Sequence, residues 1–258
     1  MSFRSWISRK LPPFLYSLAA VLFWFINPRR ETVFLIPRKD SWYVKKGDME
    51  FFLPIWERTS EFSKKRPWQK FCKIKEGQIV VDAGAGIGLD TVSMAKVVGG
   101  KGRVIAIEPH PISLKYLRKN VECNNLDNVK IVEKGLWRRR GTAELFVADR
   151  FTAHSMIKEE ISGKVKRKII IRTDSLDNIL SESGMKKVDL IKMDIEGAEI
   201  EALKGSKNIL RITEKVLIET HHDYRVDTAE EVVRLLRLEG FRTRRKGAYV
   251  FGRAQKHA

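Results

Sequence analysis

The sequence predicts an α/β protein whose mostly parallel sheet is covered by helices on both faces. From Gln78 onward, short apolar runs that suit buried strands alternate with longer amphipathic runs that suit helices. Apolar strands in alternation with amphipathic helices imply a parallel sheet buried on both sides. The chain has 258 residues, of which 43% are hydrophobic, and this is enough to build a substantial core.

The alternating elements follow one another without an internal repeat or a low-complexity linker. The predicted strands cover residues 78–84, 102–109, 128–135, 188–194 and 215–220. The predicted helices cover residues 88–98, 110–125, 175–183, 197–210 and 228–240. Two closing strands are predicted at residues 241–244 and 248–253.

Two regions depart from this alternation. Residues 142–173 contain two strand-like runs around a polar loop, which indicates an inserted β-hairpin. Residues 31–76 interleave aromatic and charged side chains and are interpreted as one or two strands followed by a helix. The predicted organisation is therefore an N-terminal segment (1–30), an extension (31–76) and a main domain (77–258).

The N-terminal segment contains an apolar run from Phe14 to Ile26 between basic flanks. A helix of this length spans about 20 Å, whereas a bilayer core needs about 30 Å. The segment resembles the apolar part of a signal peptide, but no small-residue cleavage site follows it. Two alternatives stay open, a helix at a membrane interface and a helix packed on the main domain, with a membrane span less favoured.

Charge and cysteine content limit the partners and the compartment. The net charge of +18 favours an anionic partner, such as RNA, DNA, an acidic lipid surface or a phosphorylated substrate, or else a solvated basic surface. Cys72 and Cys123 are the two cysteines, and their spacing suggests neither a disulfide framework nor a structural zinc site. The expected location is the cytoplasm, and one of the two alternatives for residues 1–30 adds peripheral contact with a membrane.

The motif VVDAGAGIGLDT places glycines where the first main-domain strand passes into its helix. Asp82, Gly84, Gly86 and Gly88 occupy this turn, where glycine allows the backbone to approach a ligand closely. The GxGxG spacing differs from the GxGxxG of nicotinamide-binding proteins and lacks the lysine of a phosphate-binding loop. It therefore suits a cofactor without a pyrophosphate.

An acidic residue ends the second main-domain strand. Glu108 follows Asp82 by 26 residues, in IAIEPHP, where a carboxylate can accept both hydroxyls of a ribose. Asp82 would lie near the amino-acid end of the same ligand, and together these features predict S-adenosyl-L-methionine as cofactor. The predicted cofactor contacts are Asp82, Gly84, Ala85, Gly86, Gly88, Glu108, Pro109, Gly135, Leu136 and Asp194.

The run KMDIEGAEIE concentrates carboxylates at the end of the fourth main-domain strand. Asp194 ends an apolar strand, a costly place for an acid without a partner. Glu196 follows it closely. Glu199 and Glu201 are interpreted mainly as acids in the first turns of a helix, where negative charge complements the helix dipole.

These motifs together resemble a known family. VVDAGAGIGLDT, IAIEPHP and IKMDIEGAEIEALKG, the last preceded by DSLDNIL, resemble the FkbM family of S-adenosylmethionine-dependent methyltransferases, usually described as O-methyltransferases. The resemblance covers about residues 78–222 and implies a Rossmann-like class I methyltransferase fold, with a seven-stranded sheet and a reversed last strand. The family's functional residues correspond here to residues 82–88, Glu108, Asp194, Glu196 and Glu199.

Methyl transfer requires the acceptor oxygen to be held against the methyl group while its proton is removed. We expect Asp194 to position the acceptor and take the proton, with Glu196 next and His222 as a candidate general base. His221 is an equal alternative to His222, and both could be solvated loop histidines. A shared metal role with Asp194 is a weaker alternative, and the prediction contains no metal. His154, in the insert, is a candidate for facing the substrate.

The predicted function is O-methylation of a hydroxyl on a glycan, a lipid-linked molecule or a small molecule. An RNA methyltransferase is the first alternative because of the charge, although no RNA-binding module is visible. A non-catalytic binding or scaffold protein is the second alternative, since a fold alone does not determine function. The motifs do not predict the oligomeric state.

Overall fold

The computed structural model describes residues 33–37, 41–54, 66–148, 154–158, 164–181, 184–221 and 228–255. The predicted N-terminal helix within residues 1–30 lies outside these ranges, as does His222. Within them, no helix has the length and apolar character needed to cross a membrane.

Strands and helices follow one another along the described chain. The strands are β1 Val33–Pro37, β2 Ser41–Lys46, β3 Met49–Pro54, β4 Ile79–Ala83, β5 Arg103–Ile107, β6 Val129–Val132, β7 Gly135–Leu136, β8 Gly141–Ala148, β9 Val165–Asp174, β10 Val188–Met193, β11 Thr213–Glu219, β12 Phe241–Lys246 and β13 Tyr249–Ala254. The helices are α1 Pro67–Phe71, α2 Leu89–Val98, α3 Pro111–Cys123, α4 Leu176–Ser181, α5 Glu199–Lys204, α6 Lys207–Arg211 and α7 Thr228–Leu238.

The central sheet has seven strands in the order β12-β13-β11-β10-β4-β5-β6. The neighbours from β11 to β6 are parallel, whereas β13 runs antiparallel to both β11 and β12. A seven-stranded sheet with this order and a reversed last strand is the Rossmann-like class I methyltransferase fold, and the predicted fold class is confirmed. Its consequence is that β4, β5, β10 and β11 all end at one edge, where open α/β sheets bind ligands.

The two faces of the sheet pack into separate hydrophobic clusters, with helices on each. Every residue of β10 is buried, and its successive side chains point to opposite faces. Leu190 packs with Trp68 of α1 and Met94 of α2 on one face. Ile191 packs on the other face, with Leu176 of α4 and other helical residues. The apolar runs of the sequence therefore correspond to strands covered on both sides.

The predicted inserted hairpin is present as β8 and β9, which pair antiparallel, while β7 pairs with β9 in parallel. Asp174, the last residue of β9, anchors the insert. Its buried carboxylate pairs with Lys134 at 2.8 Å and Arg140 at 3.0 Å. Burial raises the pKa of Asp174, but hydrogen bonds from Lys134, Asn178 and Arg140 outweigh it and lower the pKa to about 2.

Two local features differ from the sequence prediction. The extension contains three strands, β1 to β3, where one or two were expected. The predicted helix at residues 197–210 is divided into α5 and α6 at Gly205, where a side chain would lie 2.7 Å from the carbonyl oxygen of Trp137. The hydroxyl of Ser206 donates to the carbonyl oxygen of Ala202 at 2.6 Å, across the break.

The N-terminal sheet packs on the helices beside the glycine turn. The side-chain amide of Asn120 in α3 bonds both backbone polar groups of Phe52, accepting its N–H at 2.6 Å and donating to its carbonyl at 3.1 Å. The same amide donates to the carbonyl of Ile87 at 2.8 Å. Asn120 thus connects β3 to the turn that carries the predicted cofactor contacts.

Candidate active site

The glycine turn between β4 and α2 lies directly against the end of β10. Gly84 has φ +77°, and a Cβ at this position would be 1.8 Å from the carbonyl oxygen of Asp194. Gly88 has φ +90°, and its Cβ would be 2.6 Å from Leu117 Cδ1 in α3. Both positions favour glycine, because an L side chain is strained at a positive φ. At Gly84 a Cβ would also collide with backbone, whereas at Gly88 the Leu117 side chain would have to move.

Glu108 fixes the same turn from the end of β5. Its carboxylate accepts the N–H of Gly86 at 2.8 Å and the N–H of His110 at 2.8 Å. The residue is 7% exposed, and burial raises its pKa to about 7. A carboxylate has about four acceptor positions, so Glu108 retains capacity for the predicted ribose contact.

Asp82, in β4 next to the turn, forms a buried ion pair with Lys192. Asp82 is 0% exposed. Its carboxylate accepts a hydrogen bond from the Thr91 hydroxyl, with 2.6 Å between the oxygens, and lies 3.2 Å from Lys192 Nζ. Lys192 also lies 3.8 Å from Asp90 and 4.0 Å from Asp194. Burial lowers the pKa of Lys192, but these carboxylates outweigh it and raise the pKa above its usual range. Lys192 therefore connects the turn to the acidic run.

The other predicted cofactor contacts differ in how accessible their atoms are to a ligand. A Cβ built on Gly86 would meet no atom of the described residues within 4 Å, so among these residues Gly86 borders open space where a ligand can approach the backbone. Pro109 is half-buried and Ala85 is buried. Gly135 and Leu136 form β7, and the Leu136 side chain lies in the main core, so a cofactor contact there would involve backbone atoms.

The acidic run forms a tight turn between β10 and α5. Asp194 follows β10 directly, and Glu196 precedes the helix with φ +52°, an uncommon backbone conformation for a residue with a side chain. Glu199 begins α5, as expected, but its side chain is 0% exposed and accepts the N–H groups of Ile195 at 3.3 Å and Gly197 at 3.1 Å. Glu199 thus organises the turn in addition to lying at a helix start.

His221, two residues beyond β11, contacts the acidic turn. Its Nδ1 is 3.1 Å from Glu199 Oε1, while its Nε2 is 3.4 Å from Glu196 Oε2 and 3.6 Å from Asp194 Oδ1. Burial lowers the pKa of His221, but the hydrogen bond to Glu199 and the neighbouring charges outweigh it and raise the pKa to about 10. Burial raises the pKa of Glu196 to about 8.

The insert contacts both the acidic turn and the residues that follow Glu108. The hydroxyl of Ser155 donates to the carbonyl oxygen of Glu196. The ring of His154 packs on that of His110, with centroids 4.1 Å apart. His154 Nδ1 also accepts the backbone N–H of Ala148 at the end of β8, at 3.2 Å, so its ring is held between β8 and the residue that precedes α3. Its predicted contact with a substrate stays a prediction.

Lys192 and the buried position of Glu199 were not predicted from the sequence. Lys192 interrupts the apolar strand run LIKM, and a lysine in a strand buried on both faces is a signal for a buried ion pair. Its partner Asp82 belongs to another strand, and their contact depends on β10 lying beside β4. No pattern within the acidic run distinguishes Glu199 from Glu201 as the buried acid.

Comparisons with known proteins agree with this geometry. A family model described as the methyltransferase FkbM domain matches residues 82–243, more than half of the chain. The methyltransferase sdnD of Sordaria araneosa is 29% identical over 170 residues, covering 55% of this chain and 65% of that protein. The hexuronic acid methyltransferase AglP of Haloferax volcanii is 28% identical over 147 residues, covering 57% of each chain. The 2-O-methyltransferase NoeI of Sinorhizobium fredii is 25% identical over 161 residues, covering 56% of this chain and 64% of that protein.

The alignments cover only part of these relatives. The chain spans less than two thirds of each of the three. The family match itself includes the glycine turn, Glu108, the acidic run and His221. The chain belongs to the FkbM family of methyltransferase domains.

Proposed function

We propose that this protein is an S-adenosyl-L-methionine-dependent methyltransferase that methylates a hydroxyl group of a glycan or another small acceptor. The observation that carries the proposal is that the glycine turn with Glu108 lies against the acidic turn with Asp194, through the contact of Gly84 with the Asp194 carbonyl. This arrangement brings cofactor-binding and proton-accepting groups to one edge of the sheet.

The relatives support the choice of acceptor. One is named a hexuronic acid methyltransferase and another a 2-O-methyltransferase. The first name gives a sugar acid as the acceptor and the second gives an oxygen as the methylated atom. A sugar hydroxyl is consistent with both names and with the chemistry of the acidic turn. A lipid-linked sugar offers the same hydroxyl and belongs to the same proposal.

The residues of the glycine turn fit the cofactor. Glu108 would bind the ribose, and the open space at Gly86 would admit the ligand close to the backbone. When bound, S-adenosyl-L-methionine supplies an electrophilic methyl group on a positively charged sulfur. Asp194, half-buried at the same edge, adds negative charge that favours such a cation.

On the acceptor side, the acidic turn would hold the hydroxyl and receive its proton. Asp194 accepts the hydroxyl hydrogen bond and orients the oxygen, a role suited to its partly exposed carboxylate. Both ring nitrogens of His221 face carboxylates, Glu199 on one side and Asp194 and Glu196 on the other, so we assign proton acceptance to a carboxylate. His221 then positions Asp194 and Glu196.

Replacing Asp194 with asparagine tests the proposal. We expect Asp194→Asn to reduce the rate of methyl transfer by about 10²–10⁴-fold, because the amide cannot accept the proton. The measurement is transfer of labelled methyl from S-adenosyl-L-methionine to uronic-acid glycans, to simple sugars and to RNA. Glu144→Gln, on the exposed hairpin and paired with Lys168, is the matched control and should leave the rate unchanged.

Three results would overturn the proposal in different ways. Equal rates for wild type and Asp194→Asn would remove the role of the acidic turn. Labelling of RNA without labelling of any sugar would favour the RNA methyltransferase that the net charge of +18 suggests. Absence of cofactor binding to the wild type would favour a scaffold protein.

A further inference from the structure

Three side chains of the acidic turn and β11 can each direct one ligand atom toward a common point. One carboxylate oxygen each of Asp194 and Glu196 and one ring nitrogen of His221 all lie within 4.8 Å of one another. The three residues come from the ends of two neighbouring parallel strands, β10 and β11. We propose that they form a binding site for one divalent transition-metal ion.

The separations of these atoms fit a shared ion better than direct hydrogen bonds. His221 Nε2 lies 3.4 Å from Glu196 Oε2 and 3.6 Å from Asp194 Oδ1. Hydrogen bonds from a ring nitrogen to a carboxylate are shorter, about 2.7–3.2 Å. Two ligands about 2.1 Å from a tetrahedral ion lie about 3.4 Å apart.

The orientation of His221 is that of a metal ligand. Its Nδ1 lies 3.1 Å from the Glu199 carboxylate, and its Nε2 therefore faces Asp194 and Glu196. Metal-binding histidines commonly donate their other ring N–H to a carboxylate in this way, which fixes the tautomer and the ring direction.

Glu199 provides an independent observation. It is 0% exposed, and its Oε2 has no hydrogen-bond partner among the described residues. A buried carboxylate with an unpaired oxygen is costly unless positive charge lies nearby. Lys192 is 4.0 Å from Asp194 but pairs more closely with Asp82, at 3.2 Å. A metal ion bound at His221 Nε2 would place positive charge on the opposite side of the ring from Glu199. It would thereby stabilise the negative charge of the Glu199 carboxylate.

The ligand set also selects the kind of ion. An imidazole with two carboxylates suits Mn²⁺ or Zn²⁺, whereas Mg²⁺ and Ca²⁺ prefer oxygen ligands alone. The side chains of Asp194 and Glu196 are 31% and 25% exposed, so an ion can enter and keep open coordination positions. Three protein ligands with an open position are typical of catalytic metal sites. An acceptor oxygen could occupy that position, but the metal proposal does not depend on methyl transfer.

The experiment is calorimetric titration of Mn²⁺ and, separately, Zn²⁺ into chelator-treated full-length protein without cofactor. We expect one ion per chain. Glu196→Gln and His221→Gln should each weaken binding by at least about 100-fold, since each removes a ligand. Glu199→Gln should weaken it by about 10–100-fold, the effect typical of a group that orients a ligand. Glu201→Gln, in the same helix but paired with Arg138 and Lys204, is the control and should bind as wild type does.

The rival explanation is a protonated His221 that holds the two carboxylates without an ion. Failure of the wild type to bind either metal at one ion per chain would overturn the proposal in favour of that explanation. Equal binding by wild type and Glu196→Gln would also overturn it, because the ion would then lie elsewhere. Circular dichroism of each variant establishes folding, and S-adenosyl-L-methionine binding measured in parallel separates failure of the metal site from failure of the proposed function.

Discussion

Gly84→Ala is expected to lower the free energy of unfolding by about 3 kcal/mol or more. The new Cβ would lie 1.8 Å from the Asp194 carbonyl oxygen, a backbone atom that can move only if β4 and β10 separate at their ends. The φ of +77° adds a cost of about 1–2 kcal/mol for any L residue. Forced overpacking of this kind costs about 1–3 kcal/mol beyond that. Denaturant unfolding measures the difference.

Gly86→Ala is the matched control for this change. Gly86 has a similarly positive φ, +55°, but a Cβ there meets no atom within 4 Å in the described part of the chain. Gly86→Ala is therefore expected to lower the free energy of unfolding only through the strain of an L residue at positive φ, by about 1–2 kcal/mol. Equal destabilisation by the two variants would contradict the close contact between the glycine turn and the acidic turn. Gly86→Ala should instead weaken cofactor binding, because its methyl group enters the space assigned to the ligand.

Lys192→Met is the second substitution for which we expect a large loss. Removing the ammonium group leaves Asp82 buried at 0% exposure without its charged partner. Breaking a buried ion pair on one side costs about 3–5 kcal/mol. The same change loosens the glycine turn, since Lys192 Nζ also donates to the carbonyl of Gly84 at 3.4 Å. Unfolding free energy and cofactor affinity should therefore decrease together.

A surface lysine and a double variant provide the controls for Lys192→Met. Lys187 pairs with Asp189 but is largely exposed, and Asp189 keeps its hydrogen bond from the backbone N–H of Ile79. Lys187→Met should cost less than about 1 kcal/mol. Adding Asp82→Asn to Lys192→Met should restore part of the lost stability, because no unpaired buried charge remains. A loss as small as that of Lys187→Met would show that the buried pair contributes little.

The parallel sheet could be predicted because its strands are short, apolar and bounded by helices with a clear amphipathic pattern. β10 illustrates this, since all six of its residues are buried. The division of the predicted helix at Gly205 could not be predicted in the same way. At this position the chain lies against the backbone of Trp137, a contact with a distant part of the chain that local periodicity does not contain. Similarly, the third strand of the extension is stabilised by Asn120 of α3, through contacts that local periodicity does not contain.

The placement of the motif residues at one edge of the sheet was predictable from the sequence, while their roles stay predictions. The glycine turn and Glu108 lie together at the edge of the sheet, and Asp194 and Glu196 lie beside them. The pair His221 and His222 could not be separated, because adjacent residues beyond a strand end have the same composition signal. The structure places His221 against the acidic turn, and His222 lies outside the described residues. The ion pair between Lys192 and Asp82 forms because β10 lies beside β4, and this strand order cannot be predicted from a local motif.

The most direct test of this account is calorimetric titration of S-adenosyl-L-methionine and its demethylated product into wild type and Glu108→Ala. We predict one cofactor per wild-type chain and a loss of about 10-fold or more in Glu108→Ala, because this change removes the carboxylate that bonds the Gly86 N–H and that we propose as the ribose contact. Glu133→Gln, on the exposed surface and paired with Arg118, should bind as wild type does. Absence of binding to the wild type, or equal affinity of wild type and Glu108→Ala, would contradict the assignment of the cofactor site.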